Sequence, residues 1–360
     1  MKLLRRGVLV GLMVASLGCN KRSSQTGYTQ YPPGQPPPNY PGQYPTQPGP
    51  GQPPLQQPPP GQPPQQQPPP SSNPPIPSNL PPVANDPINF IDINFMRQRS
   101  QGVLQELIAA LPSNQRSSVQ SVPLVIDDTV GEVNAFAACS GGKALMAITD
   151  GLMEVQSQMA RAKATDEFFG TNKFTEYVTM LAKHQQPNAP IVRPQPSFWN
   201  PVQDQDGRKV ARQHQLFDEE LAFVLGHELA HHYLQHTGCV GPQLAFPTPI
   251  DIGRVLSQAV PGFNQPNEIA ADQNGTNNLL SAGKARQGYH WTEGGALLTL
   301  NFFLALKNYT PAESILFAFE LSHPHPSFRI PIVQQTAANW RASGGNTPVN
   351  PFPFPIPGFG

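Results

Sequence analysis

Apolar residues recur at helical spacing in several segments of the chain. They predict a helix over Phe95 to Leu111, another that begins at Gly151, and a core helix over Ala296 to Leu306. Before the second of these helices, Val122 to Ile126 predicts a strand, and two apolar stretches around Gly141-Gly142 predict a β-hairpin. The pattern therefore favours an α+β domain that is mainly helical and has a small β-sheet.

A further helix carries the residues with the clearest chemistry. It is predicted to run from Asp218, its N-cap, to the stop signal Thr237-Gly238, and it contains the motif His227-Glu228-Leu229-Ala230-His231. Two imidazoles four residues apart lie on one helix face and can share one Zn²⁺, while Glu228 can take a proton from a water molecule at the metal. The motif predicts a zinc hydrolase, and a charged helix face without metal is the alternative.

A zinc site needs a third protein ligand. One branch of such enzymes uses a histidine or aspartate six residues after the second histidine, but Thr237 occupies that position. The other branch uses a glutamate from a later helix. Here Glu268 can coordinate the metal, and Asp272 can accept a hydrogen bond from a ligand imidazole, although this pair on its own is also typical of an exposed acidic face. His232 and His236 are predicted to lie in solvent or at the rim of the site.

Four blocks of sequence follow one another in an order that is typical of one enzyme family. They are Val133 to Ala137 followed by Gly141-Gly142 and Thr149 to Leu152, the histidine motif, Glu268 to Asp272, and Ser322 to Ile330. Together they resemble the M48 family of zinc metallopeptidases, the gluzincin group that includes the periplasmic BepA-type proteases. The resemblance spans Val122 to Ile330 and implies a zincin-type metallopeptidase domain with one Zn²⁺ per chain.

The resemblance also implies roles for the residues that match the family's motifs. Glu228 matches the catalytic base, and Asp272 and Arg329 match residues that support the metal ligands. The ligands themselves are matched by His227, His231 and Glu268.

Two further parts of the site follow from the same resemblance. His323 matches a late histidine that stabilises the oxyanion or caps the zinc, with His325 as the alternative residue. The strand whose free edge pairs with an extended substrate is matched by Val133, Asn134, Ala135, Phe136 and Ala137.

The N-terminal residues predict export and a lipid anchor. Basic residues precede the apolar run Gly7 to Gly18, which is shorter than the roughly 20 residues of a membrane span, so residues 1–18 are predicted to be a signal peptide. Cys19 follows directly, as in the bacterial lipoprotein box, and is the predicted lipidation site, with plain secretion as the alternative. Asn20 after the cysteine favours the outer membrane of the cell envelope, with the protein facing the periplasm.

Composition divides the rest of the chain. Of its 46 prolines, 24 fall between Pro32 and Pro82, and residues 23–85 hold no charged side chain, so residues 19–84 are predicted to be a disordered tether. The metallopeptidase domain is predicted over residues 85–345 and a Pro/Phe-rich tail over residues 346–360. A formal net charge of zero provides no basic face for phosphates and argues against nucleic acid as a partner.

The other cysteines, Cys139 and Cys239, are an even pair in a chain predicted to be exported. An oxidising compartment favours a disulfide between them, which this sequence rather than the family indicates, and two buried thiols are the alternative. Cys139 ends the predicted substrate strand and Cys239 follows the stop of the metal-binding helix. The bridge would therefore hold the strand beside that helix.

These observations predict a zinc-dependent endopeptidase that cleaves protein or peptide substrates in the cell envelope, including misfolded envelope proteins. The alternative is a gated or catalytically silent lipoprotein that keeps the zinc fold and acts as a scaffold or chaperone-like factor. The complete set of ligands and base favours the enzyme. The sequence leaves open the natural substrate, the oligomeric state and the role of Thr171 to Arg212, which is predicted to be an inserted loop.

Overall fold

A computed structural model of the chain describes residues 85–239, 265–309, 317, 319 and 323–346. The predicted signal peptide, Cys19, the tether and all but the first residue of the predicted tail lie outside these described residues. In chain order the described elements are α1 (Ile93–Ala110), α2 (Ser113–Val119), β1 (Leu124–Asp127), β2 (Ala135–Ser140), β3 (Lys143–Thr149), α3 (Asp150–Phe169), α4 (Lys173–His184), a 3₁₀ turn (Pro196–Phe198), α5 (Pro201–Asp204), α6 (Gly207–Tyr233), α7 (Gln265–Ala285), α8 (Gly294–Tyr309) and α9 (Pro326–Ala342).

The described strands form one mixed sheet in the order β1-β3-β2. β2 and β3 are antiparallel and are joined by Gly141 and Gly142, whose φ angles are +58° and +76°. A two-residue hairpin turn of this kind requires a left-handed conformation, which glycine adopts without steric cost. β1 pairs in parallel with the other side of β3, so β2 is an edge strand of the described sheet. The predicted fold, mainly helical with a small sheet, is confirmed.

Helix α6 is the centre of the described domain. Every residue from Leu216 to His232 is buried, because α6 packs against α1, α3, α7 and α8 and against the edge strand β2. A helix that is covered on all sides does not show the two-faced pattern of a surface helix. The histidine motif lies near the C-terminal end of this buried helix.

The start of α6 differs from the prediction. The helix begins directly after Asp206, whose carboxylate accepts a hydrogen bond from the backbone N–H of Arg208. Asp218 is therefore not the N-cap. It lies inside the helix, where it is buried and accepts hydrogen bonds from Arg99 and Tyr289. The sequence does not predict the first turns of α6 because polar side chains interrupt the apolar pattern there. These side chains are paired inside the protein.

The predicted inserted loop is partly helical, which corrects the prediction. It contains α4 and α5, and α6 begins within it. Tyr177, Val178 and Leu181 of α4 are fully buried, and their spacing is that of one helix face. The prolines that suggested a loop lie between the end of α4 and the first residue of α5.

The predicted core helix lies within α8, and this prediction is confirmed. Leu300 and Phe302 of α8 are fully buried, and Phe303 is nearly so. None of the helices in the described ranges is both long enough and apolar enough to cross a membrane.

Glu220 on α6 makes the stability of the domain depend on pH. Burial raises the pKa of this fully buried carboxyl well above its usual 4.5, and the neighbouring Glu219 raises it further. Above about pH 4.5 the unfolded chain releases a proton that the folded chain retains, so this group lowers stability as pH rises. We expect Glu220→Gln, which keeps the shape without the charge, to unfold roughly 5 °C above the wild type near pH 8.

The expected difference shrinks as the pH falls below about 4.5, where the wild-type carboxyl becomes protonated in the unfolded state as well as in the folded state. Thermal unfolding of both proteins over this pH range measures it. A difference that stays constant with pH would contradict the argument.

Candidate metal centre

Two helices bring together the three side chains that were predicted to bind a metal. His227 and His231 lie one turn apart on α6, and Glu268 lies in the first turn of α7, which packs along α6. The two Nε2 atoms are 3.1 Å apart. The Nε2 atom of His227 is 3.4 Å from Oε2 of Glu268, and that of His231 is 3.4 Å from Oε1. All three side chains are buried, so the atoms converge on one enclosed point.

These separations fit a bound metal ion better than hydrogen bonds. Charge-assisted hydrogen bonds between imidazole and carboxylate are about 2.7–2.9 Å long, whereas two ligands each about 2.0–2.1 Å from a tetrahedral zinc ion lie about 3.3 Å apart. Neither oxygen of Glu268 has a hydrogen-bond donor among the described residues, although both are buried. A buried carboxylate without a donor is costly, and a cation removes that cost.

The charges around this point also favour a divalent cation. The carboxylates of Glu228, Glu268 and Asp272 are all buried with the guanidinium of Arg329, which leaves an excess of two negative charges when the imidazoles are neutral. Burial by itself raises the pKa of Glu268, but the imidazoles of His227 and His231 outweigh burial and hold that pKa far below its usual value. The excess negative charge therefore persists at neutral pH.

His227 is held by a chain of hydrogen bonds that runs away from the metal point. Its Nδ1 is 2.9 Å from Oδ1 of Asp272, whose two oxygens also accept hydrogen bonds from Arg329 of α9, at 2.9 Å from Nε and 2.7 Å from Nη2. Despite burial, Arg329 and His227 lower the pKa of Asp272 to about 2. An Nδ1–H donated to Asp272 leaves the lone pair of Nε2 for a metal.

The electrostatics of the two histidines differ. Burial lowers the pKa of His227, but the nearby carboxylates of Asp272 and Glu268 outweigh burial and raise the pKa to about 9. Burial dominates for His231 and lowers its pKa to about 4. Without a metal, the site thus attracts a proton to His227, as expected for a cavity that stabilises positive charge.

Glu228 and His323 lie together beside the three possible ligands. Nε2 of His323 is 3.4 Å from Oε1 of Glu228 and 4.0 Å from Oε2 of Glu268. Burial raises the pKa of Glu228, but His323 and the two motif histidines outweigh it, so the pKa is lowered and Glu228 is ionised. His325, the alternative to His323, is exposed and accepts a hydrogen bond from the backbone N–H of Ser327 as the N-cap of α9. The structure thus brings His323, and not His325, to the site.

The predicted substrate strand corresponds to β2 and the two residues before it. Along β2, Phe136 and Ala137 pair with β3, and Thr149 donates its backbone N–H to the carbonyl of Asn134. In an antiparallel ladder, the backbone groups of alternate residues point toward and away from the partner strand. Those of Val133, Ala135 and Ala137 therefore point away from β3. No other described strand pairs with that side, although the carbonyl of Val133 accepts a hydrogen bond from Phe319 N–H at 3.2 Å. Beyond Val133, this edge of β2 has the extended backbone that the addition of a substrate strand requires. Its use by a substrate stays a prediction.

The predicted disulfide between Cys139 and Cys239 is confirmed, with Cα atoms 5.6 Å apart. It joins the end of β2 to the segment that follows α6. The edge strand and the metal-binding helix are thus linked covalently close to the site.

The prediction that His232 and His236 face solvent or the rim was wrong for His232. This side chain is 4% exposed, and its Nε2 is 3.0 Å from the carbonyl oxygen of Leu145 in β3. Burial lowers the pKa of His232 to about 4, so the neutral ring links α6 to the sheet. His236 is partly buried and contacts His231, as described below.

Sequence reasoning missed the two glycines that allow α6 and α7 to approach each other. Gly226 precedes the first motif histidine, and Gly275 lies on α7 two turns after Glu268. A Cβ atom added at Gly275 would lie 2.8 Å from the backbone nitrogen of His227, closer than real Cβ atoms come. The sequence does contain a signal, because a glycine lies near each block of proposed ligands. A glycine inside a helix often marks a place where another element packs closely against it.

Imidazoles and carboxylates that converge in this way on a helix pair are typical of metallohydrolases. Comparison with known families makes the class specific: the sequence model of Peptidase family M48 matches residues 98–240. Over these residues the chain is similar to this family of metallopeptidases, and the match supports the predicted resemblance. The matched residues include most of α1, all of α2 to α6, the sheet and both motif histidines, and Glu268 follows them. Searches among curated proteins and solved structures found no match.

Proposed function

We propose that the protein is a zinc-dependent endopeptidase that cleaves protein or peptide substrates in the cell envelope. The observation that carries the proposal is the convergence of His227, His231 and Glu268 on one buried point, with ionised Glu228 beside it. The lipid anchor at Cys19, the periplasmic orientation and the outer membrane belong to the same proposal, and they rest on the N-terminal sequence. A scaffold that keeps the fold would not need a base at this position.

The residues of the site support a mechanism of peptide hydrolysis. Zinc, when bound by His227, His231 and Glu268, supplies Lewis acidity toward a carbonyl group and toward water. Glu228 would take a proton from the attacking water and pass it to the leaving amine. His323, next to Glu228, would donate a hydrogen bond to the oxyanion. The edge of β2 would hold the substrate backbone in an extended conformation.

The proposal is tested by measuring metal content and casein cleavage on the whole chain. We expect one zinc ion per chain, and cleavage that stops with a chelator and returns when zinc is added. Zinc binding without cleavage would favour the silent scaffold. A protein that binds no zinc under these conditions would contradict both functions.

His323→Ala separates the two roles implied for this residue. If His323 stabilises the oxyanion, the variant is expected to lose about 10²–10³ in kcat with unchanged zinc content. If it caps the metal at rest, basal activity is expected to rise instead. Steady-state kinetics and metal analysis of the same preparation distinguish these results, and an unchanged kcat would remove His323 from the mechanism.

A further inference from the structure

The chain reverses direction sharply where α6 ends. The backbone N–H of His236 bonds to the carbonyl of His231 at 2.8 Å, and that of Gln235 bonds to the carbonyl of His232 at 3.0 Å. This pair of bonds is the Schellman motif, which needs a left-handed residue after the helix and usually has glycine there. Gln235 takes that conformation with φ at +65°, although non-glycine residues rarely adopt it. The reversal returns the chain to the helix face that carries the metal motif.

The result is a direct contact between His236 and the second motif histidine. The Nδ1 atoms of His236 and His231 are 2.9 Å apart, and the two rings meet edge to face at 5.1 Å between centroids. The other nitrogen of His231, Nε2, points to His227 and Glu268. When Nε2 offers its lone pair to a metal, the proton of this neutral ring is on Nδ1, where His236 can accept it.

We propose that His236 is a positioning residue for the metal site: its Nδ1 accepts a hydrogen bond from Nδ1–H of His231 and fixes the orientation and tautomer of that ligand. The inference deepens the proposed function and rests on it. The two motif histidines then have different supports. His227 donates to the carboxylate of Asp272, whereas His231 donates to a neutral imidazole supplied by the turn after its own helix.

The surroundings of His236 hold it in this position. The Schellman bonds fix its backbone to the last turn of α6. Three residues later, Cys239 is tied to Cys139 at the end of β2. The segment that carries His236 is thus anchored on both sides, as expected for a partner that keeps a ligand imidazole aligned.

Zinc affinity of the whole chain, measured by competition with a chromophoric chelator, tests the inference. We expect His236→Leu to bind zinc about 10–100-fold more weakly than the wild type, because Leu fills similar space but accepts no hydrogen bond. His236→Asn should bind zinc within about threefold of the wild type, because the amide oxygen can occupy the place of Nδ1. His184→Leu, at an exposed histidine of α4, is the matched control and should leave affinity unchanged.

A second readout separates positioning from general destabilisation. Co²⁺ substituted for zinc reports ligand geometry through its visible absorption, which should change in His236→Leu and remain like the wild type in His236→Asn. Thermal unfolding of the metal-free proteins shows whether either variant is simply less folded. If His236→Leu fails to fold, wild-type affinity and spectrum in His236→Asn still support the inference, and their loss in a folded His236→Asn overturns it.

The possible failures have different meanings. Equal zinc affinity in the wild type and a folded His236→Leu overturns the inference alone and leaves the proposed function intact. A wild type that binds no zinc overturns the proposed function and, with it, the ligand role of His231 on which the inference rests.

Discussion

Glu228→Gln is expected to lower peptide hydrolysis by about 10²–10⁴-fold while zinc content stays at the wild-type value. Glu228 is ionised and lies beside the proposed ligands, with Oε1 3.4 Å from His323, but it does not belong to the set formed by His227, His231 and Glu268. Glutamine keeps the shape of the side chain and cannot take a proton from water. Loss of the base should therefore be seen in kcat and not in metal binding.

Two comparisons make this result specific. Glu268→Gln, at a proposed ligand, should lose zinc, whereas Glu176→Gln, at an exposed residue of α4, should keep both zinc and activity. Metal analysis and casein kinetics on the same preparations provide the readings. If Glu228→Gln retained most of the activity, Glu228 would not be the general base.

Gly275→Ala is expected to damage both the fold and the metal site. The added Cβ would lie 2.8 Å from the nitrogen of His227 and 3.0 Å from the carbonyl carbon of Gly226. These are backbone atoms of a fully packed helix, so the contact can be relieved only if α7 moves away from α6. We expect a loss of about 3 kcal/mol in the free energy of unfolding. Because α7 carries Glu268 and Asp272, we also expect zinc affinity to fall at least about tenfold.

The matched control is Gly102→Ala in α1. A Cβ atom at Gly102 would meet a single side-chain atom, Nη1 of Arg99 at 3.3 Å, and no backbone, and alanine favours a helix over glycine. Gly102→Ala should therefore unfold at or above the wild-type temperature and bind zinc normally. Wild-type stability and zinc affinity in Gly275→Ala would show that the two helices do not need this close approach.

Short-range patterns predicted much of the fold. The hairpin followed from Gly141-Gly142 between apolar stretches, because a glycine pair supplies the two left-handed residues of such a turn. The start of α6 was missed because Asp218 and its partners Arg99 and Tyr289 pair inside the protein. A polar residue that is satisfied by distant partners cannot be distinguished by local pattern from one in solvent.

The residues of the candidate site were also predicted only in part. Helical spacing placed His227 and His231 on one face, and family order pointed to Glu268, which the structure brings beside them. The role proposed for His236 depends on the left-handed conformation of Gln235. Glutamine rarely adopts this conformation, so the sequence does not predict it. The approach of α6 and α7 depends on two glycines that lie 49 residues apart and meet only in the folded domain.

The disulfide also divides the proposed ligands into two groups along the chain. The bridge joins Cys139 and Cys239, which are 100 residues apart in sequence, and the loop that it closes contains β3 and both motif histidines. Glu268, Asp272 and Arg329 all follow this covalent ring in the chain. The covalent ring can thus hold two of the three proposed ligands, but the third joins them only when α7 packs on α6.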